Sequence, residues 1–188
     1  MTIIHKEHNG GVRGLLERIS SLGVPNVYIG VPSSKNSTHE GGINMATLVA
    51  VHELGANIKH SGGTRYQNKA NGNLAKFVRN DFVGPTSGVT GSHTIVIPER
   101  SFIRSTMKDN EKRYADLMLK GFRSVLRMES TVEVVYQKIG ITISDDVKSK
   151  ILTGSFVPLK PSTIKKKGSS KPLVDTGEMR NSISYEVR

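Results

Sequence analysis

Cysteine and tryptophan are absent from the 188 residues, and aromatic residues reach only 5%. The first absence excludes disulfides, thiolate metal sites and a cysteine nucleophile, and it fits assembly in a reducing cytosol. The scarcity of aromatics leaves an aliphatic core, drawn from 36% hydrophobic residues. No window approaches the ~20 consecutive apolar residues that a membrane span needs. The opening MTIIHKEHNGG lacks the apolar run of a signal peptide, so a soluble protein is expected. Acidic residues are also short, 16 against 27 lysines and arginines, which leaves a net charge of +11. That surplus favours a polyanionic partner such as nucleic acid, an acidic membrane surface or an acidic protein ring; the alternative is a solvated, lysine-rich face. The basic residues are spread out, with one cluster in IKKKGSSK (164–171), and no basic run is interleaved with aromatics. Any contact with DNA would then be sequence-blind attraction to the backbone.

A chain of this length suits one domain, 1–188. Val12, Leu15, Leu16, Ile19 and Leu22 share one helical face, with Gly23 able to close the helix. NVYIGVP (26–32) reads as a strand ended by proline. Asn44 can cap a helix through MATLVAVHELGA (45–56) that stops at Gly55. From 57 to 93 the pattern dissolves into Gly, Ser, Asn and Thr, with LAKFVRNDFV (74–83) readable as a strand or short helix and HTIVIP (93–98) as a returning strand. Such a stretch is expected to be an inserted loop or hairpin arm. Phe102, Ile103, Met107, Tyr114, Leu117, Met118, Phe122, Val125 and Leu126 then mark a long amphipathic helix from 101 to about 128. Arg104, Lys108, Lys112, Arg113, Lys120, Arg123 and Arg127 cover much of its remaining surface. A second helix follows the spacing of Val132, Val135, Tyr136, Ile139, Ile143, Val147 and Ile151, and Gly140 is expected to kink or split it. ESTVE makes the two helices antiparallel neighbours. The segment 154–188 is a Pro- and Lys-rich extension in which Ser162 can cap a short basic helix ending at Gly168, and SISYEVR suits a strand.

Catalytic signatures are few. Asp175-Thr176-Gly177, behind Leu173 and Val174, has the form of an acid-protease turn, but the chain after it is too short for a flap and sheet. Asp175 followed three residues later by Glu178 fits a capping box instead, with Met179 and Ile183 as the apolar face of the helix. HELGANIKH offers His52 and Glu53 without the second histidine of a zinc motif, and His39 has no partner nearby. No Gly-x-Ser-x-Gly elbow or phosphate-cradling Gly-Lys loop occurs. No catalytic residue, metal ligand or cofactor site is expected.

Four stretches, VYIGVPSS, ATLVAVHELGANI, IPERSFIRSTM and PSTIKKKGSSKPLVDTGEMRNSISYEV, resemble in this order the neck and tail-completion proteins of long-tailed double-stranded DNA bacteriophages, often labelled minor tail or virion-morphogenesis proteins. Ala46 to Gly55 matches an A…NEFG-like helix. Pro98, Arg100 and Phe102 match a Pro-x-Arg-Pro-Phe approach to the long helix. Leu173 to Ile183 matches L-x-D-T-G-x-L-R-x-S-I, the most specific of the four. Ser101, His52, Leu54 and Met179 depart from the usual Pro, Asn, Phe and Leu, and 59–92 looks inserted, a subunit-bridging or tail-contacting arm.

The resemblance implies an α+β protomer. With the elements above, that is a small mixed or antiparallel sheet packed against a long amphipathic helix, with an extended loop or hairpin arm and an extended C-terminal segment. It further implies a structural virion protein without enzymatic activity or membrane contact, a homohexameric ring acting as adaptor at the neck or tail end. Its partners would be connector or head-closure proteins and tail-tube or tail-terminator proteins, with double-stranded DNA in the lumen, and it would assemble in the host bacterial cytoplasm. Arg104, Lys108, Lys112, Lys165, Lys166, Lys167 and Lys171 are the expected contacts to lumen DNA or a partner ring. The alternative function is a sequence-nonspecific DNA-binding module using the same basic surface.

Overall fold

The computed structural model describes residues 9–23, 25–38, 42–67, 76–79 and 81–188, without the side chains of 9–12 and 166. The expectations for Val12, Lys166, His39 and positions 74, 75 and 80 therefore lie outside the described residues.

Helix α4 (Val132–Thr153) is the centre of the fold. Val135, Ile139, Ile143, Val147 and Ile151 recur every fourth residue, and Tyr136, Gly140 and Ser144 widen the stripe, so the helix is buried on two sides. On one side lies α3 (Ile103–Leu126), joined by a short turn in which Met128 takes a positive φ and Thr131 Oγ1 accepts from Val134 N at 3.3 Å. On the other lies an antiparallel pair made from distant parts of the chain, β1 (Val27–Gly30) and β7 (Ser184–Val187), in register Val27↔Val187 to Gly30↔Ser184. Gly140 sits under this pair: a Cβ there would come within 2.2 Å of the Tyr185 ring. The helix is therefore not split into two pieces at Gly140. The glycine is a packing position whose partner, Tyr185, is far away in sequence. Likewise Gly121 brings α3 against α4, where a Cβ would meet Val135 at 2.4 Å.

Around this layer, α1 (Asn9–Ser21) lies against α3 and adds Leu22 to the core, but Leu15, Leu16 and Ile19 remain largely exposed. A single turn of 3-10 helix, Ser33–Lys35, follows β1. α2 (Met45–Leu54) begins as its sequence requires, Asn44 Oδ1 accepting from Thr47 N at 2.8 Å. Gly55 then takes φ +73°, and a Cβ would lie 2.9 Å from Glu99 N, so the chain can turn there only with glycine.

The arm follows. β2 (Ala56–His60) pairs with β6 (His93–Ile97), and between them β3 (Arg65–Gln67), β4 (Lys76–Phe77) and β5 (Gly88–Val89) form a small sheet in the order β4-β3-β5. No helix forms over the described part of 74–83. α5 (Pro161–Lys167) starts at Lys160 with Pro161 in its first turn rather than at Ser162, and ends at Gly168 in a left-handed conformation as expected. α6 (Glu178–Ser182) leads into β7. The architecture is α+β with antiparallel sheets, and the sheet against the body packs on α4. Among the described residues no helix is long and apolar enough to cross a membrane.

Candidate assembly junction

A helix of α3's length leaves its first amides without intrahelical acceptors. Its own N-terminus offers no remedy, since Phe102 stands at the cap and no local side chain accepts. The acceptor comes from α2. Glu53, only 6% exposed, receives Phe102 N at 2.7 Å, Ile103 N at 2.8 Å and Arg104 N at 3.0 Å, together with Ser101 Oγ at 2.8 Å and Arg104 Nε at 3.1 Å. Burial pushes the Glu53 carboxyl up, but the hydrogen bonds from Ile103, Arg104, Ser101 and Phe102 outweigh it and hold its pKa below the ordinary carboxylate value. A carboxylate at a helix N-terminus also meets the positive end of the helix dipole.

The same junction buries Arg100 to 6% exposure. Its amide donates to His52 O at 2.9 Å, and its Nε donates to Val157 O at 3.1 Å, tying the linker between α4 and α5 to the end of α2. Beside it His52 Nδ1 is buried without a hydrogen-bond partner. Burial, then the charges of Arg100 and Lys167, lower the His52 pKa, so the neutral ring is favoured. The 171–183 stretch closes the junction from below: Met179 and Ile183 enter the core with Met45, Val49 and Phe102, and Leu173 and Val174 pack against it.

The expected interaction residues divide. Arg104 takes part in the junction: its Nη2 donates to Glu53 O at 3.0 Å and to Glu99 Oε1 at 2.7 Å, while its side chain stays about half exposed. Lys108 and Lys112 are exposed on α3 and form no ion pair among the described residues. Lys167 Nζ donates to Lys171 O at 2.8 Å, which folds the basic cluster back on itself, while Lys165 and Lys171 are exposed. Elsewhere on α3, Lys150 reaches Asp109 at 2.9 Å, and Arg113 and Tyr114 both reach Asp146.

The Asp175–Glu178 capping box does not form. Gly177, at φ +87°, occupies the cap position of α6 with no side-chain capping bond, and Glu178 N lies 3.4 Å from Thr176 Oγ1. The chain enters α6 from a turn in which Leu173 also has a positive φ, and this carries Asp175 out to the surface. Asp175→Ala is accordingly expected to change unfolding free energy by less than about 0.5 kcal/mol in a denaturant titration, whereas loss of a true cap costs about 1 kcal/mol.

Sequence reasoning missed Glu53 and Arg100. The available signal was the long helix that begins at SFIR with no capping side chain of its own, which obliges some distant carboxylate or carbonyl to serve it. No group of three His, Asp or Glu able to hold a metal occurs among the described residues. No known protein family, no curated protein and no solved structure matches this chain.

Proposed function

We propose that this chain is a structural protein of a bacteriophage neck or tail end, a ring-forming adaptor in tail completion, tail termination or head-tail joining, with no enzymatic activity. The observation that carries the reading is the convergence of the four resembling stretches. HELG supplies Glu53, ERSFIR supplies the helix start that Glu53 caps, LVDTGEMRNSI packs Met179 and Ile183 beside them, and VYIG pairs with SYEV. The second, third and fourth stretches thus meet around Glu53 and Phe102, while the first pairs with the chain's last strand on α4. Ring partners are copies of this chain, with connector or head-closure proteins on one side and tail-tube or terminator proteins on the other.

Co-sedimentation tests this. The full chain should pellet with purified tail tubes or connector rings from its phage, saturating at a fixed ratio. A chain that pellets with neither contradicts the proposal. Exposed Lys108, Lys112, Lys165 and Lys171 favour, as a second reading, sequence-independent DNA binding. That reading requires affinity for duplex DNA that falls steeply with salt.

A further inference from the structure

Helices α3 and α4 are stitched along one edge by opposite charges. Lys150 meets Asp109 at 2.9 Å, and one turn nearer the connection between the helices Arg113 meets Asp146. Residues four apart share a helix face, so the next rungs set Leu117 against Thr142, then Lys120 and Gly121 against Lys138. There the ladder changes character. Two cations stand where a pair of opposite charges would continue it. Both lysines are exposed, and neither ammonium group makes a hydrogen bond or ion pair among the described residues.

Along these rungs the seam opens into a groove of about 390 Å³. Its floor is apolar, with Val135 and Ile139 buried and Leu117 and Gly121 facing them from α3. The lining runs from Leu117 to Ser124 and from Val135 to Thr142. At 1.5 Å rise per residue that is roughly 10 Å, about three residues of extended chain. Ser124 Oγ donates to Gly121 O at 2.7 Å and Thr142 Oγ1 to Lys138 O at 2.8 Å. With their protons so engaged, both hydroxyls offer acceptor lone pairs, the complement of a peptide N–H. Beyond Lys138 the surface stays apolar, with Val134 38% and Ile141 48% exposed. Glu129, the one acid of the lining, stands past the lysine pair at the connecting turn.

We propose that this groove binds a short acidic segment of a protein partner, its apolar side chains on the Val135 and Ile139 floor and a carboxylate between Lys120 and Lys138. An acid placed there gains from both cations, through charge-assisted hydrogen bonds that the free chain does not make. Burial of apolar side chains on the floor adds to the affinity. Duplex DNA would leave that floor unused, because its backbone offers phosphate and sugar but no apolar side chain. A second copy of this chain is a poor occupant at a net charge of +11. The groove requires neither a ring nor a tail, and so stands apart from the adaptor reading.

Fluorescence anisotropy on the full chain tests this, with a fluorescein-labelled peptide that alternates glutamate and leucine. Comparison peptides exchange leucine for serine or glutamate for lysine, and a labelled DNA duplex is run beside them. Two variants accompany the parent, Lys138→Glu and the double change Lys120→Ala with Lys138→Ala, and circular dichroism checks that both are folded. Lys138→Glu restores opposite charges to the rung, so its melting temperature should equal or exceed the parent's while binding falls. The expected result is saturable binding of the glutamate-leucine peptide by the parent, with the methyl resonances of Val135 and Ile139 shifting on titration. Binding should weaken about tenfold or more in each variant and with each comparison peptide. No binding by the parent, binding unchanged in the folded variants, equal binding of the serine peptide, or lysine changes that weaken only duplex-DNA binding overturns the inference. Co-sedimentation with tail tubes is scored separately, so the groove can fail while the adaptor reading stands.

Discussion

Glu53→Ala should be the most damaging single substitution in the body of the protein. It leaves the amides of Phe102, Ile103 and Arg104 without their acceptor at a nearly closed site, and it strips Arg104 of its inner partner. Breaking a buried, multiply bonded charge costs roughly 3–5 kcal/mol, which for a chain of this size lowers Tm by about 10 °C or more. Glu53→Gln should recover only part of the loss, since one amide oxygen replaces two carboxylate oxygens and the NH₂ group faces other donors. The same site makes the protein acid-labile. The folded-state pKa of Glu53 is depressed, so its contribution is complete above the ordinary value of 4.5 and is lost as pH falls through the lower folded value. His52 adds a second window with the same sign. Its ring is held neutral in the fold, so below its ordinary 6.5 the unfolded chain takes up protons that the folded chain does not, and stability falls. Thermal melts from pH 7 to pH 4 should show a decline beginning below pH 6.5 and steepening below 4.5, and Glu53→Ala should lose the lower phase. A melt unaffected by Glu53→Ala would remove the junction from this account.

Gly140→Val is the second large effect. If Gly140 only weakened α4, adding a side chain would help, because alanine is better than glycine in a helix by about 1 kcal/mol. The packing argues the reverse. A Cβ would lie 2.2 Å from Cδ2 and 2.6 Å from Cγ of Tyr185, atoms near the root of a ring held between sheet and helix. Overpacking of this kind costs about 1–3 kcal/mol for one methyl group. Gly140→Ala should therefore be mildly destabilising, and Gly140→Val should lose about 3 kcal/mol in denaturant titration. Shortening Tyr185 to leucine should recover part of that loss. A stabilised Gly140→Ala would show that the sheet does not press on the helix there.

What could be read in the sequence was local. Asn44 capping α2, the 3–4 spacing of α3 and α4, the αL stop at Gly168 and the strands at 27–30 and 184–187 depend on neighbours a few residues away. The misreadings share one cause, which is contact between distant segments. Gly140 looked like a helix breaker because Tyr185 is not visible from its surroundings in the chain. The tie between Arg104 and Glu53 was invisible for the same reason, because the two are separated by the whole arm. Asp175 looked like a cap because its spacing to Glu178 is right, yet the positive φ values of Leu173 and Gly177 turn it outward. Composition set 57–93 apart from its helical neighbours as a loop or hairpin arm. Its strand pairing was not legible, since β3, β4 and β5 are only two or three residues long.

The central claim is that the Glu53–α3 junction serves a particle that recognises tail or neck parts by shape and charge. Negative-stain images of tails incubated with the gold-labelled chain test it directly. The account predicts label confined to one end of the tail, as a ring of constant diameter, and absent when Glu53→Ala has unfolded the protein. Label scattered along tube walls, or absent from tails and connectors alike while the chain remains folded, would contradict it.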